Sequence, residues 1–386
     1  MIMSGEDKKN IQLTWSELIE LRKKNDHTQK MIDYEDKVKS KEIAEKSGCP
    51  VPKNYYVGKS ARNIPFDKLP KQYVVKPSHH ASSRGIFLMN NGKNLFTGEK
   101  VSRAEIISIE QKYLSKRLWK GLGEWATYRI PACVIVEEFL PNLDGEYQVP
   151  TDYKCYVFHG RVCMVRVDYD RLTKKQSVDY YNRDFEIIDF NPIRVKYPRK
   201  NLVVEKPTYY DEMIGYVEKM GKQFGNFIRV DMYLTNRGPY FGEFTTYPGS
   251  GSRSMFTEET DKYMGALWQN SDLVLGEDQK PFTKKHFQKV LATLSVEKKT
   301  HNGVTTNGNS IIKEIINYDN SNNVSNNVSN NNVSNNNGND NKISKDDNKS
   351  TKSLKSKVIS IKIKHPKEKS KNVKSNCGKC RRPRNI

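Results

Sequence analysis

The chain has 386 residues, enough for two domains or one large domain with appendages, and its 66 Lys plus Arg against 45 Asp plus Glu leave a net charge of +21. That excess favours an anionic partner without choosing among nucleotide, nucleic acid, phosphorylated sugar and membrane surface, while 35% hydrophobic residues are too few for a chain that folds throughout. No apolar run approaches the ~20 residues that span a bilayer, and the start MIMSGEDKKN lacks the apolar core of a secretion signal.

Residues 11 to about 60 read as a polar helical lead-in, opening at a Thr14 or Ser16 cap and closing at Gly48 ahead of Pro50. PKQYVVKPS then predicts a strand over 72–76, HHASSRG a polar loop and GIFLMN a second strand, paired as a hairpin. A helix is expected within 103–120. ACVIVEEFL (132–140) is a continuous apolar run ending in two acids, the pattern of a strand buried on both faces whose end emerges at a polar site. DYKCYVF and RVCMVRVDY flank His159-Gly160, a two-residue hairpin turn. In TYYDEMIGYVEKMGKQFG the residues Met213, Ile214, Val217, Met220 and Phe224 form one helical stripe. FIRVDMYL and YFGEFT close the folded part as another hairpin, and the order of elements predicts an α+β fold with antiparallel sheets.

Near residue 300 the composition changes. Residues 302–341 hold 17 Asn, and 342–386 hold 16 basic residues against three acidic ones, so the last 45 residues supply +13 of the charge. The expected division is therefore a lead-in over 1–70, a folded domain over 71–295, a disordered Asn-rich linker over 296–341 and a disordered basic tail over 342–386. Sixteen cations would hold polyanions non-specifically, but no aromatic is interleaved to stack on bases. The pair Cys377 and Cys380 lacks the further ligands of a zinc site, and the six cysteines are too sparse for a disulfide framework, so reduced thiols in a cytoplasm are expected. Asn-rich runs suit an AT-rich genome, such as that of a protist or a giant DNA virus, with host cytoplasm or virion as the corresponding location.

Three segments carry chemistry. In FIRVDMYLTNRGPYFGEFTTYPGSG (227–251), alternation puts Arg229, Asp231 and Tyr233 opposite the apolar face. A three-residue loop at Asn236-Arg237-Gly238 would set Asp231 opposite Glu243, with Thr245 following on the same face. Two carboxylates so placed call for a cation, either Mg²⁺ or the guanidinium of Arg229 on a solvated sheet face. The Pro248–Gly251 loop is a candidate source of phosphate-binding N–H groups. In VVKPSHHASSRG (74–85), a strand-borne Lys76 precedes a small polar loop suited to covering phosphates, though a solvated hairpin turn has the same composition. His79 and His80, adjacent on that loop, read as polar packing or substrate contact. In IVEEFLPNLDGEY and the following DYK, acids leave a buried strand where an adenine can meet main chain, and Lys154 shares a face with Asp152 and Tyr156.

In their order, VVKPSHHASSRGI, VIVEEFL, DYKCYVFHGRV and RVDMYL with YFGEFTTYPGSG resemble the ATP-grasp superfamily, and within it the TupA-like family named for teichuronopeptide biosynthesis, over roughly residues 35–270. The resemblance implies an ATP-grasp fold with a nucleotide clamped between two antiparallel sheets. It implies Lys76 and Lys154 on the phosphates, Ser82, Ser83 and Gly85 in the covering loop, and Glu137, Glu138 and Phe139 as an adenine hinge. Asp231 and Glu243 would be Mg²⁺ ligands and Arg229 the group that steadies the transferred phosphoryl. Thr245 stands where the family pattern has Asn and offers one oxygen. The implied activity is an ATP- and Mg²⁺-dependent ligase that joins a small-molecule or polymer-attached carboxylate to an amine through an acylphosphate, in polysaccharide or glycoconjugate modification. A phosphotransferase acting on a hydroxyl, and an inactive nucleotide-binding or structural protein, are the alternatives.

Overall fold

The computed structural model describes residues 12–300 except 82, 117–122, 172, 194–197, 201–203 and 253–254, and of 295–300 the backbone alone. Residues 301–341 of the linker, the basic tail, Ser82, Cys377 and Cys380 therefore lie outside the described residues, while 296–300, expected in the disordered linker, are helical. Three helices open the fold: α1 (Trp15–Asn25), α2 (Gln29–Glu35) and α3 (Lys39–Lys46). Thr14 caps α1 in a reciprocal box with Glu17, satisfying two of the otherwise orphaned N–H groups of the first turn. The helical reading of residues 11–60 ends at Lys46, because Asn54–Gly58 is a strand, β1. Its alternation is obscured by a register irregularity between Asn54 and Tyr56.

The first sheet contains β1, β2 (Gln72–Pro77), β3 (Phe87–Asn90), β4 (Lys93–Asn94) and, after α4 (Arg103–Leu114) and α5 (Trp125–Arg129), β5 (Val134–Glu138). Its order is β1-β5-β2-β3-β4, every neighbour antiparallel. The apolar run ending in two acids is thus the central pair of ladders, with Glu137 opposite both Asn54 and Val74. One face packs Val75, Phe87, Met89, Val134 and Val136 together with Ile106 of α4. The other gathers Val74, Leu88 and Phe139.

The second sheet contains β6 (Asp152–Phe158), β7 (Arg161–Tyr169), β8 (Ser177–Tyr181), β9 (Phe227–Thr235) and β10 (Gly238–Thr245), in the order β10-β9-β6-β7-β8, again antiparallel. Between β6 and β7, His159 and Gly160 both take positive φ, 49° and 81°, as a tight two-residue hairpin requires. The helix α6 (Tyr210–Phe224) buries the expected stripe of Met213, Ile214, Val217, Met220 and Phe224 against this sheet. Three more helices, α7 (Glu258–Gln269), α8 (Asp272–Leu275) and α9 (Lys284–Thr300), follow the sheet, and α7 packs on α1. No helix among the described residues is long and apolar enough to cross a membrane.

The β9–β10 register departs from the expected route and reaches the same pair. Thr235 is opposite Gly238, leaving only Asn236 and Arg237 in the turn, which alone would set Asp231 against Gly242. A bulge at Gly242 restores Asp231 to a position opposite Glu243. A side chain at Gly242 would meet the Asp231 carbonyl oxygen at 2.8 Å, so the bulge depends on glycine.

Candidate active site

A cleft runs between the sheets. Val74, Ile86, Leu88, Phe96, Phe139 and Val149 line its apolar part, while Lys76, Ser83, Glu137 and Glu138 from the first sheet's side meet Arg171 and Tyr233 from the second. The arrangement of a flat apolar wall with a few polar groups at one end suits a planar heterocycle with a charged tail.

At the polar end, Lys76 Nζ lies 2.6 Å from Glu137 Oε1, and Lys41 Nζ of α3 lies 2.6 Å from Oε2. Burial raises the Glu137 carboxyl, but Lys76 and Lys41 outweigh it and bring its pKa to about 2. Burial pushes Lys41 below its ordinary value, with Glu137 pulling the other way. Lys41 also donates to Asn54 Oδ1 and the Pro52 carbonyl, tying α3 to β1. Glu137 is therefore an anchor for Lys76, and its side chain is not a free hinge acceptor. The Glu138 N–H is spent on the Lys53 carbonyl, and its side chain accepts from Arg237. Unspent main chain at the hinge begins only past Glu138, towards Phe139.

The covering loop divides. Ser78 is stitched to the Pro131 carbonyl and the Cys133 backbone. His79 and His80 are buried, contacting the Lys116 and Tyr113 carbonyls near the end of α4, which makes them packing groups. Lys37 donates to the His80 carbonyl at 2.7 Å. Of the expected loop residues, Ser83 reaches the cleft, whereas Gly85 is pressed against the Tyr113 ring.

The second sheet presents a patterned charged face. Asp152, Asp231 and Asp168 are nearly buried, and Lys154 contacts Asp152, reaches Asp231 Oδ2 at 2.9 Å and lies 3.9 Å from Asp168. Arg229 grips Asp231 with two bonds, Nε at 2.6 Å and Nη2 at 2.7 Å. Arg171 pairs with Asp152 at 3.1 Å and Arg166 with Asp168 at 2.6 Å. Burial, with Asp152 and Glu243 nearby, raises the Asp231 carboxyl against the pull of Arg229 and Lys154. Glu243 is held less closely than these, 3.7 Å from Arg229 and 3.9 Å from Lys37, and its side chain is 40% exposed. Thr245 pairs with Arg229 across the ladder. The Pro248–Gly251 loop does not offer all its amides, since Ser250 N–H donates to the Tyr247 carbonyl.

Asp231 and Glu243 are thus adjacent, and Lys154, Arg229 and Thr245 share their neighbourhood. Among the described residues no group of three or more His, Cys, Asp or Glu side chains converges on one ion. Two hard carboxylates nonetheless fit Mg²⁺, which commonly takes one or two from protein and the rest of its shell from phosphate and water. Lys37, Lys41, Arg166 and Arg171 carried no local motif, because the fold alone brings them to the cleft.

The sequence profile of the family TupA-like ATPgrasp matches residues 17–269, well over half of the chain. The chain belongs to the TupA-like ATP-grasp family. Its two antiparallel sheets with flanking helices are the ATP-grasp fold. Similar solved structures include the D-alanine–D-alanine ligase of Bacillus anthracis, at 17% identity and TM-score 0.35 over 69% of each chain. That of Helicobacter pylori has 17% identity and TM-score 0.35 over 61% of each chain. The L-amino acid ligase of Bacillus licheniformis has 13% identity and TM-score 0.33 over 56% of this chain and 44% of that one. The chain spans less than two thirds of the latter two. Comparison with curated proteins finds no match.

Proposed function

We propose that this ATP-grasp chain is an ATP-dependent ligase that phosphorylates a carboxylate and joins it to an amine. The observation that carries the reading is the pairing of Asp231 with Glu243 at the charged end of a cleft whose other end is apolar. A purine suits the wall of Val74, Leu88 and Phe139, beside main chain past Glu138, and its phosphates suit Lys76, Lys154 and Ser83. Five cations, Lys37, Lys154, Arg166, Arg171 and Arg229, accompany four carboxylates, Asp152, Asp168, Asp231 and Glu243, so the face has a cation to spare for a polyanion.

Asp231 and Glu243, with Thr245 beside them, are the residues proposed to hold Mg²⁺, which when bound supplies charge neutralisation on the phosphate oxygens. Arg229 and Lys154 hold Asp231 in its present state. We assign them the transferred phosphoryl group, on which their charge opposes the negative charge that develops. A carboxylate oxygen attacks the terminal phosphorus, the bond to the bridging oxygen breaks and ADP leaves. An amine nitrogen then attacks the acyl carbon of this acylphosphate, the carbon–oxygen bond to phosphate breaks, and the amide and inorganic phosphate are released with a proton. The proposed catalytic unit is 71–295, to which the 1–70 segment contributes Lys41 and the edge strand β1. The family supports a carboxylate on a sugar or glycoconjugate.

The test is to incubate the protein with Mg²⁺–ATP, a panel of sugar and peptidyl acids and hydroxylamine. Hydroxamate formed together with ADP supports the ligase. ADP with a phosphate ester on a hydroxyl assigns the kinase chemistry instead, and no ADP with any acid contradicts turnover.

A further inference from the structure

Of the two carboxylates at the charged end of the cleft, Glu243 is the one its own side-chain contacts hold less. Asp231 is gripped by Arg229 at 2.6 and 2.7 Å and by Lys154 at 2.9 Å, whereas Glu243 stands 3.7 Å from Arg229 and 3.9 Å from Lys37. Where its oxygens lie is therefore set mainly by its backbone. On one side the bulge at Gly242 fixes that backbone. On the other, the β9–β10 ladder ends at Thr245, and β10 is the edge strand of its sheet. Thr246 has left the ladder yet is fully buried, so its N–H and carbonyl need other partners.

Both partners come from the lead-in helices. Glu35, the last residue of α2, accepts the N–H and the hydroxyl of Thr246 through one oxygen, Oε1, at 2.5 and 2.6 Å. Arg22 of α1 donates from Nη1 to the Thr246 carbonyl at 3.0 Å. Each arm is itself held. Arg22 is buried, donates from Nη2 to Asn226 Oδ1 at 2.7 Å and lies over the Trp268 ring at 4.3 Å, while α2 packs on β10. Farther along, Lys23 of α1 donates to the Ser250 carbonyl at 3.0 Å. The chain leaving β10 is thus fastened to α1 and α2 at Thr246 and again at Ser250.

We propose that Arg22 and Glu35 are positioning residues that, acting through Thr246, hold Glu243 and Thr245 in place beside Asp231 for Mg²⁺. The role rests on the reading of Asp231 and Glu243 as the Mg²⁺ carboxylates. Mg²⁺ demands near-ideal octahedral geometry, so a strand end released by a fraction of an ångström weakens its binding while the sheet itself stays paired. The lead-in is then part of the site's support, reaching across 211 positions of chain from Glu35 and 224 from Arg22.

The experiment measures ATP binding to the full chain by isothermal titration at a series of Mg²⁺ concentrations, with the ligand-free melting temperature of each variant beside it. Glu35→Ala and Thr246→Val are compared with the parent and with Glu35→Gln, whose amide oxygen can still accept both Thr246 bonds. In Glu35→Ala the Mg²⁺ concentration needed for half-maximal ATP binding is expected to rise at least about fivefold, as the loss of one or two buried hydrogen bonds implies. Thr246→Val, which gives up the hydroxyl and keeps the N–H, is expected to shift it less in the same direction, and Glu35→Gln to restore it. If Glu35→Ala does not fold, Thr246→Val decides. A clamp that serves the fold alone would lower the ligand-free melting temperature and leave the Mg²⁺ requirement where it is, and that result overturns the positioning role. So does a raised requirement that Glu35→Gln fails to restore. A parent whose ATP binding is indifferent to Mg²⁺ fails the metal reading and the positioning role with it, whereas a responsive parent matched by its variants fails the positioning role alone.

Discussion

Glu137 sits between Lys41 and Lys76 with almost no contact with water, so its charge is matched on both sides. Replacing it by Gln leaves two lysines beside one neutral amide, and the loss expected from stranding a buried charge is about 3–5 kcal/mol. Chemical denaturation of Glu137→Gln checks this, and an unchanged midpoint would contradict the anchoring role. Glu110 of α4 is a different case. Both of its oxygens are buried without a hydrogen-bond partner, and burial alone raises its pKa to about 8 from an ordinary 4.5. The folded state therefore binds a proton that the unfolded state releases. Its contribution is complete below pH 4.5 and is lost as pH rises from 4.5 to 8, by up to several kcal/mol. Glu110→Gln should be more stable than the parent at pH 8, with the advantage shrinking towards pH 5; parallel stability curves would refute it. Neither role was legible in the sequence. Glu137 read as a strand-end acid because its two lysines come from other elements, and Glu110 lies in a segment for which only a helix was expected.

At the scale of elements, the bulge at Gly242 decides whether the two carboxylates meet. Alternation made the charged face of β9 legible, and the pairing of Asp231 with Glu243 followed from an assumed three-residue loop. The hairpin instead uses a two-residue turn and a bulge, which give the same net offset. A bulge leaves no periodic signal in a strand of eight residues. Gly242→Ala should push the added methyl into the Asp231 carbonyl, shift the strand end and weaken Mg²⁺–ATP binding about tenfold or more; isothermal titration reads this, and unchanged affinity would show that the bulge tolerates a side chain. The helix stripe of α6 and the hairpin at His159-Gly160 were legible because each is a local pattern. The edge strand β1 was not, since its exposure follows no alternation and its register slips.

At the scale of the molecule, the family match covers 17–269 and stops short of the Asn-rich and basic segments. The cleft is built from residues before 250. Removing 301–386 is therefore expected to leave the affinity for ATP unchanged within about twofold while greatly reducing retention on a polyanion resin; a large loss of nucleotide affinity would tie the tail to the site. The measurement that bears most directly on the account is a thermal-shift titration of the chain with ATP, with and without Mg²⁺, beside Asp231→Asn. A ligand that binds only the folded state raises the melting temperature with concentration. The account predicts a rise that needs Mg²⁺ and is abolished in Asp231→Asn. A rise of equal size without Mg²⁺, one that Asp231→Asn retains, or none for any nucleotide would contradict it.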